Sequence, residues 1–193
     1  MKVLIACEYS GTVRDAFIKI GHDAMSCDLL PTDKPGPHYQ GDVFDIINDG
    51  WDMIIAHPPC TYLAVSGMHW NGRVPGRAEK TEQALDFVKK LMDSSINKIA
   101  IENPISVIST RIRRPDQIIQ PWYFGHNESK KTCLWLKNLP LLIGTDRLPG
   151  DNKTRRDNQT ASGQNKLAPS KDRWKVRSKT YQGIADAMAD QWG

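Results

Sequence analysis

Short apolar runs alternate with stretches of helical spacing along most of this chain. Val3 to Cys7 is an apolar run bounded by polar residues, which predicts a buried strand. After the loop EYSGT, the residues Val13, Ala16, Phe17 and Ile20 recur at helical spacing, and Gly21 marks the helix end. Ala24 to Cys27 predicts a second strand running into Asp28. A Pro-rich loop, LLPTDKPGPHYQ, and the element GDVFDI lead to a third strand, Asp52 to Ala56, terminated by Pro58 and Pro59 with Cys60 directly behind them. Met68 to Arg77 reads as a polar loop. Thr81 to Ser95 reads as an amphipathic helix with Ala84, Leu85, Val88, Leu91 and Met92 on its apolar face. The run KIAIENP then ends in a polar cluster and a proline, and Cys133 to Leu136 predicts a further strand. The segment from about Gly144 to Arg177 reads as a long polar loop. Helical spacing returns at the C-terminus, where Ile184, Ala185, Met188 and Trp192 share one face.

Strands alternating with helices predict an α/β fold, a Rossmann-like, mostly parallel sheet with helices on both faces. Sites of such sheets lie at the carboxyl ends of the strands. Glu8, Asp28, Asp42, Cys60 and Glu102 all follow apolar runs and would converge there. The 193 residues, 39% of them apolar, suffice for one domain over 1–193, with residues 144–178 as a basic loop and 180–193 as a helix docked on it. The first apolar run is too short for a signal peptide core or a membrane span. Cys7, Cys27, Cys60 and Cys133 lie far apart with no CxxC pair, which argues against a zinc ribbon or a disulfide framework and for a reducing cytoplasm. Net charge is only +4, but nine Lys and Arg residues fall between Lys153 and Lys179 against two acids, Asp157 and Asp172. That excess suggests a polyanionic partner, or else a solvated surface loop.

A cysteine set behind two prolines at a strand end is held on a rigid turn, as a nucleophile should be. The alternative is an inert buried thiol. Glu102 closes an otherwise apolar strand, where an unpaired charge is costly unless it has a task; capping the next turn is its structural alternative. Glu8, Asp28 and Asp42 could accept hydrogen bonds from ribose hydroxyls and an amino group, or serve as helix caps and turn residues. Trp122, Tyr123 and Phe124 beside Pro121 could stack on a base or other substrate, but aromatics in that place are more often core packing.

Over residues 3 to 136 this order of motifs resembles the DNA cytosine carbon-5 methyltransferases. CEYSGTVRDAFIKIGH aligns with that family's opening strand, glycine loop and helix, keeping one loop glycine, Gly11. Pro58, Pro59 and Cys60 match its Pro-Pro-Cys, although Thr61 replaces the usual Gln. Glu102-Asn103-Pro104 stands for its Glu-Asn-Val. Its Gln-x-Arg-x-Arg element is replaced by Glu128, Lys130 and Thr132, with Lys131 adjacent. The resemblance implies S-adenosylmethionine as cofactor, held by Cys7, Glu8, Ser10, Gly11, Asp28, Asp42, Val43 and Pro58, and a catalytic set of Cys60, Glu102 and Lys130. It further implies that Cys60 adds to carbon 6 of cytosine while Glu102 binds the ring N3 and exocyclic amine, and that carbon 5 takes the methyl group.

DNA, duplex or single-stranded, would be the substrate, met by Arg155, Arg156, Lys171, Arg173, Lys175 and Arg177. Family members that read duplex sites carry a large recognition region before the C-terminal helix. The short basic stretch here implies weak or very short sequence specificity, and the compactness resembles enzymes of bacteriophage genomes, acting in the cytoplasm of a bacterial or infected cell. Other readings are a free nucleotide substrate, methylation of an exocyclic amine with Tyr62 stacking on the base, and an idle nucleic-acid-binding or partner-binding protein. A metal site at His57, Cys60 and His69 lacks paired ligand spacing. The pattern implies no membrane partner and leaves the oligomeric state open.

Overall fold

A computed structural model describes residues Met1–Gly193. The strands are β1 (Lys2–Ala6), β2 (Asp23–Asp28), β3 (His38–Gln40), β4 (Met53–Ala56), β5 (Lys98–Pro104), β6 (Gln117–Ile119) and β7 (Thr132–Lys137). The helices are α1 (Thr12–Lys19), α2 (Arg77–Met92), α3 (Ile108–Arg111), α4 (Arg173–Ser178) and α5 (Gln182–Trp192). One seven-stranded sheet runs in the order β3-β2-β1-β4-β5-β7-β6. The first five strands are parallel, and β7 runs antiparallel between β5 and β6. This is the Rossmann-like α/β fold that the strand and helix alternation predicts.

Because side chains alternate across a strand, the central apolar runs feed two cores. Val3, Ile5, Met53, Ile55 and Ala100 pack on the face covered by α1 and α5. Leu4, Ala6, Ile54, Ala56, Ile99 and Ile101 pack on the opposite face, with Leu85, Val88 and Leu91 of α2. Trp122 and Phe124 are buried, as expected of core aromatics, and so is Trp192. No helix is long and apolar enough to cross a membrane.

Several elements depart from the sequence reading. Ile20 is 44% exposed, because α1 stops at Lys19. The helix expected over Thr81 to Ser95 begins one turn earlier, at Arg77, and ends at Met92. The Pro-rich loop contains β3, and β6 lies in a stretch without strong alternation; each has three residues and depends on its partner strand. Part of the segment read as a long loop is α4, whose sequence RWKVRS has no apolar stripe. Its order comes from tertiary contacts, in which Tyr9 Oη donates to the Lys175 carbonyl at 2.7 Å and Lys179 pairs with Asp33 at 2.7 Å.

α5 seats against the segment between β6 and β7 through a glycine. A Cβ on Gly183 would lie 2.2 Å from the Phe124 carbonyl oxygen, a backbone atom that cannot swing aside. At a free helix position Gly→Ala gains about 1 kcal/mol. Here Gly183→Ala should instead lower stability by about 1–3 kcal/mol through overpacking, read as a fall in the urea midpoint followed by circular dichroism.

Candidate active site

The strand order reverses between β1 and β4, since the chain proceeds outward through β2 on one side and through β5 on the other. Such a switch point leaves a crevice at the carboxyl ends that no crossover covers. Two adjoining cavities occupy it. The larger, about 520 Å³, is lined by residues following β1 (Cys7 to Ser10) and β4 (His57 to Thr61) and by the end of β5 (Glu102 to Ile105), with Lys130, Lys131 and the α4 region (Trp174, Arg177 to Thr180). The smaller, about 240 Å³, has Cys27, Asp28, Leu29, Asp42, Val43, Tyr62, Leu63 and Phe87 in its walls. Cys7, Pro58 and Pro59 border both.

The turn carrying Cys60 is fastened at both ends. Asn103 Nδ2, buried at the end of β5, donates to the Pro58 carbonyl at 2.8 Å. Beyond Cys60, a helical turn closes with the Leu63 and Ala64 amides on the Cys60 carbonyl, and Val65 and Val107 bond across to Ile105 and Leu63. Cys60 is the one exposed cysteine, while Cys27 and Cys133 are buried. The pocket walls push its thiol above the ordinary cysteine value and the Glu102 charge adds to this, while Lys130 and Arg177 pull the other way.

Glu102 sits across the cavity with its side chain 15% exposed. Burial alone would raise its pKa, but His57, Lys130 and the Thr132 hydroxyl together hold it below the usual glutamate value. Lys130 reaches this place because β7 begins at Thr132 opposite Pro104, the last residue of β5. The antiparallel register thus returns the residues before β7 to the edge where β5 ends. Lys130 Nζ donates to the Arg177 carbonyl at 2.9 Å and lies over the Tyr181 ring. Glu128, another position of the replaced element, accepts a hydrogen bond from Tyr181 Oη.

The expected cofactor residues divide. Asp28, Asp42 and Val43 line the smaller cavity, and Cys7 and Pro58 border both. Asp28 Oδ1 accepts from the Leu30 amide and Asp42 Oδ1 from the Phe44 amide, each at 3.0 Å, so both are turn residues whose second oxygen makes no bond within the chain. Cys7 has a left-handed backbone, φ +58°, which costs about 1–3 kcal/mol and is typical of positions at functional sites. Glu8 needs correction as a free acceptor. The residue is 4% exposed; its Oε1 accepts from the Val13 amide at 2.7 Å and from the Ser10 hydroxyl, and its Oε2 accepts from the Arg14 amide at 3.2 Å, closing the α1 N-terminus. Gly11 also departs. It lies outside both linings, φ +69°, where a Cβ would strike the Arg14 guanidinium at 2.4 Å.

Of the six basic residues expected to meet nucleic acid, Arg177 alone lines the larger cavity. Arg155 and Lys171 are exposed, and Arg173 and Lys175 are half-buried. Arg156 is a correction: it is 4% exposed, 4.5 Å over the Trp122 ring, with Nη1 bonded to Asn127. No group of three or more His, Cys, Asp or Glu is arranged to hold a metal ion. Tyr9 and Trp174 were not expected in the site, and His57 was considered only as a metal ligand. His57 carried a legible signal, as a polar residue between an apolar strand and two prolines; Tyr9 and Trp174 carried none.

No protein-family model and no curated protein matches this sequence. Among solved structures, that of the Entamoeba histolytica methyltransferase EhMeth matches with a TM-score of 0.50 at 18% identity. The match covers 76% of this chain and 57% of that one, so this chain spans little more than half of its length. The likeness shows the fold: a mostly parallel, Rossmann-like methyltransferase sheet with helices on both faces.

The charges around Cys60 set opposite responses. Glu102→Gln should lower the thiol pKa and speed Cys60 alkylation by iodoacetamide at pH 7, and Lys130→Met should slow it, each by about threefold or more, since one pKa unit is tenfold in thiolate. Peptide mass spectrometry resolves Cys60 from the other three cysteines.

Proposed function

We propose that this protein transfers a methyl group from S-adenosylmethionine to carbon 5 of cytosine in DNA. One observation carries the reading. Cys60, Glu102 and Lys130, from three separate segments, share a cavity that adjoins, across Cys7, Pro58 and Pro59, a second cavity with apolar walls and two acids.

The second cavity fits the cofactor by its donor set. Leu29, Val43, Leu63 and Phe87 offer apolar surface to an adenine, and the unpartnered oxygens of Asp28 and Asp42 offer acceptors to ribose hydroxyls. The capped state of Glu8 leaves the cavity-lining backbone from Cys7 to Ser10 to meet the methionine portion. When bound, S-adenosylmethionine supplies an electrophilic methyl group on a sulfonium sulfur.

The chain's own residues then have defined tasks. Cys60 Sγ, on its fastened turn, bonds to ring carbon 6 as a thiolate. Glu102 accepts from the exocyclic amine and passes a proton to N3, which makes carbon 5 nucleophilic. Carbon 5 takes the methyl group, its proton leaves to water, the carbon 6–sulfur bond breaks, and N3 returns its proton to Glu102. Lys130 opposes the mutual repulsion of thiolate and carboxylate, a task for which a single ammonium serves even though it lacks the fork of an arginine. A base in a duplex must leave its stack to reach the cavity. Arg155, Lys171 and Arg177 are the accessible cations for phosphates.

Incubated with S-adenosylmethionine and DNA containing 5-fluorocytosine, the protein should form an adduct stable on denaturing gels, absent from Cys60→Ser. Asp28→Ala should weaken S-adenosylmethionine binding by about tenfold or more in calorimetry, the scale of one charge-assisted hydrogen bond. Tight cofactor binding with no adduct on single-stranded or duplex DNA would overturn cytosine carbon-5 chemistry.

A further inference from the structure

A bare aromatic ring stands at the rim of the larger cavity. Trp174, on α4, lines the cavity that holds Cys60 and Glu102 and is 52% exposed. Its ring lies beside that of Tyr9, with centroids 6.2 Å apart and a tilt of 58°, and the Lys175 ammonium is 5.7 Å from its centre. Tyr9 is buried, and its hydroxyl holds the Lys175 carbonyl and Ser178 Oγ, so the support under Trp174 is fixed. A single exposed tryptophan is ordinary on a protein surface. This one differs in its place, beside the reactive groups, and in its company.

That company is cationic. Arg173, Lys175 and Arg177 of α4, and Lys131 before β7, form no ion pair with any carboxylate of the chain. The acids around them are already engaged: Asp33 by Lys179, Glu8 by the amides of α1, and Glu102 by His57. Asp172, at the start of α4, is the one acid within the segment. Unpaired cations interleaved with an exposed ring suit a single-stranded nucleic acid, because the cations take phosphates while the ring takes the face of a base.

We propose that Trp174 is a stacking platform for the base next to the target cytosine, with Lys175 and Arg177 on the flanking phosphates, and that the substrate is single-stranded DNA. The inference rests on the cytosine carbon-5 reading above. In a duplex the neighbours of a flipped base stay paired inside the helix, and their faces are not offered to a ring at the cavity rim. A single strand turns its base faces outward freely, and its cytosine reaches Cys60 without unpairing, which a duplex target requires. The chain between β7 and α5 contains one helix, α4, and that helix is fastened over the cavity through Tyr9 and the Lys130 contact with the Arg177 carbonyl. It serves one strand at the cavity mouth and forms no separate unit to hold a second.

The test is a cycle between residue and base. Fluorescein-labelled short DNA strands with one central cytosine are compared with strands carrying abasic sites on both sides of it, and with a duplex of the same sequence, by fluorescence anisotropy. Wild type should bind the intact strand about tenfold more tightly than the abasic one, the scale of one base stacked on an aromatic ring, and more tightly than the duplex. Trp174→Ala should bind the intact strand about tenfold more weakly than wild type does and no longer distinguish it from the abasic strand, while Trp174→Phe should keep most of the distinction. Equal penalties for the abasic sites in wild type and Trp174→Ala would overturn the inference. So would a wild type that binds intact and abasic strands alike, or the duplex as tightly as the strand, comparisons that need no variant to fold. Adduct formation on 5-fluorocytosine versions of the same strands reads the chemistry separately. A stack without any adduct upholds the platform and removes the carbon-5 reading, whereas adducts formed equally fast on intact and abasic strands uphold that reading and overturn the platform.

Discussion

Everything in the site depends on the parallel pairing of β1 with β4. Val3 to Ala6 run in register with Met53 to Ala56, so both strands end at the same height. From there the chain leaves in opposite directions around the sheet, and no connection closes the gap. Two kinds of residue must then lie side by side: those that turn away from β1, beginning at left-handed Cys7, and those that follow β4, held by prolines. The two cavities meet at this seam, where Cys7, Pro58 and Pro59 border both.

The second constraint is the reversal at β7. Parallel strands alone would bring only loops that follow strands to the carboxyl edge. The antiparallel pairing of β5 with β7 adds a segment that precedes a strand, and it supplies the one lysine close to both Glu102 and Cys60. The same segment is tied through Lys130 to the α4 region, which covers the cavity with Trp174 and Arg177. Tyr9 and Asp33 tie that region down from the other side. The cover is thus fastened to the wall it closes, although its sequence alone has little helical character.

What the sequence made legible follows from how local each signal is. The apolar runs of β1, β4 and β5 are buried on both faces and stand out against polar flanks, so the central sheet, its parallel sense and the gathering of Cys60 and Glu102 at one edge could be read directly. β3, β6 and α4 could not, because three-residue strands and a helix without an apolar stripe are stabilised by partners distant in sequence. Charge was misread for the same reason. Arg14 and Arg156 count as cations in the sequence, yet both are buried: Arg14 spends its donors on Ser26, Thr32, Asp15 and the Lys34 and Pro35 carbonyls, and Arg156 lies over the Trp122 ring with Nη1 on Asn127. Glu8 looked like a ligand acid because it follows a strand. That position also lies beneath the N-terminus of α1, and the amides of Val13 and Arg14 take its oxygens.

The electrostatics of the site make sense as a resting state that substrate completes. Cys60 and Glu102 each make ionisation of the other harder, and a carboxylate fixed by His57, Lys130 and Thr132 wins that contest, leaving the thiol protonated in the free protein. A neutral thiol on an exposed turn reacts slowly with oxidants and alkylating agents, since the thiolate is the reactive form. In the proposed reaction, a base that donates an amine to Glu102 would spread the carboxylate charge into its own hydrogen bonds, and so weaken the repulsion that holds the thiol up. Lys130, placed near both groups by the register of β7, then acts on the thiol with less opposition. Under the proposed function, recognition of the base by the acid and activation of the nucleophile would become one event, which would confine a reactive sulfur to the moments when a substrate is in place.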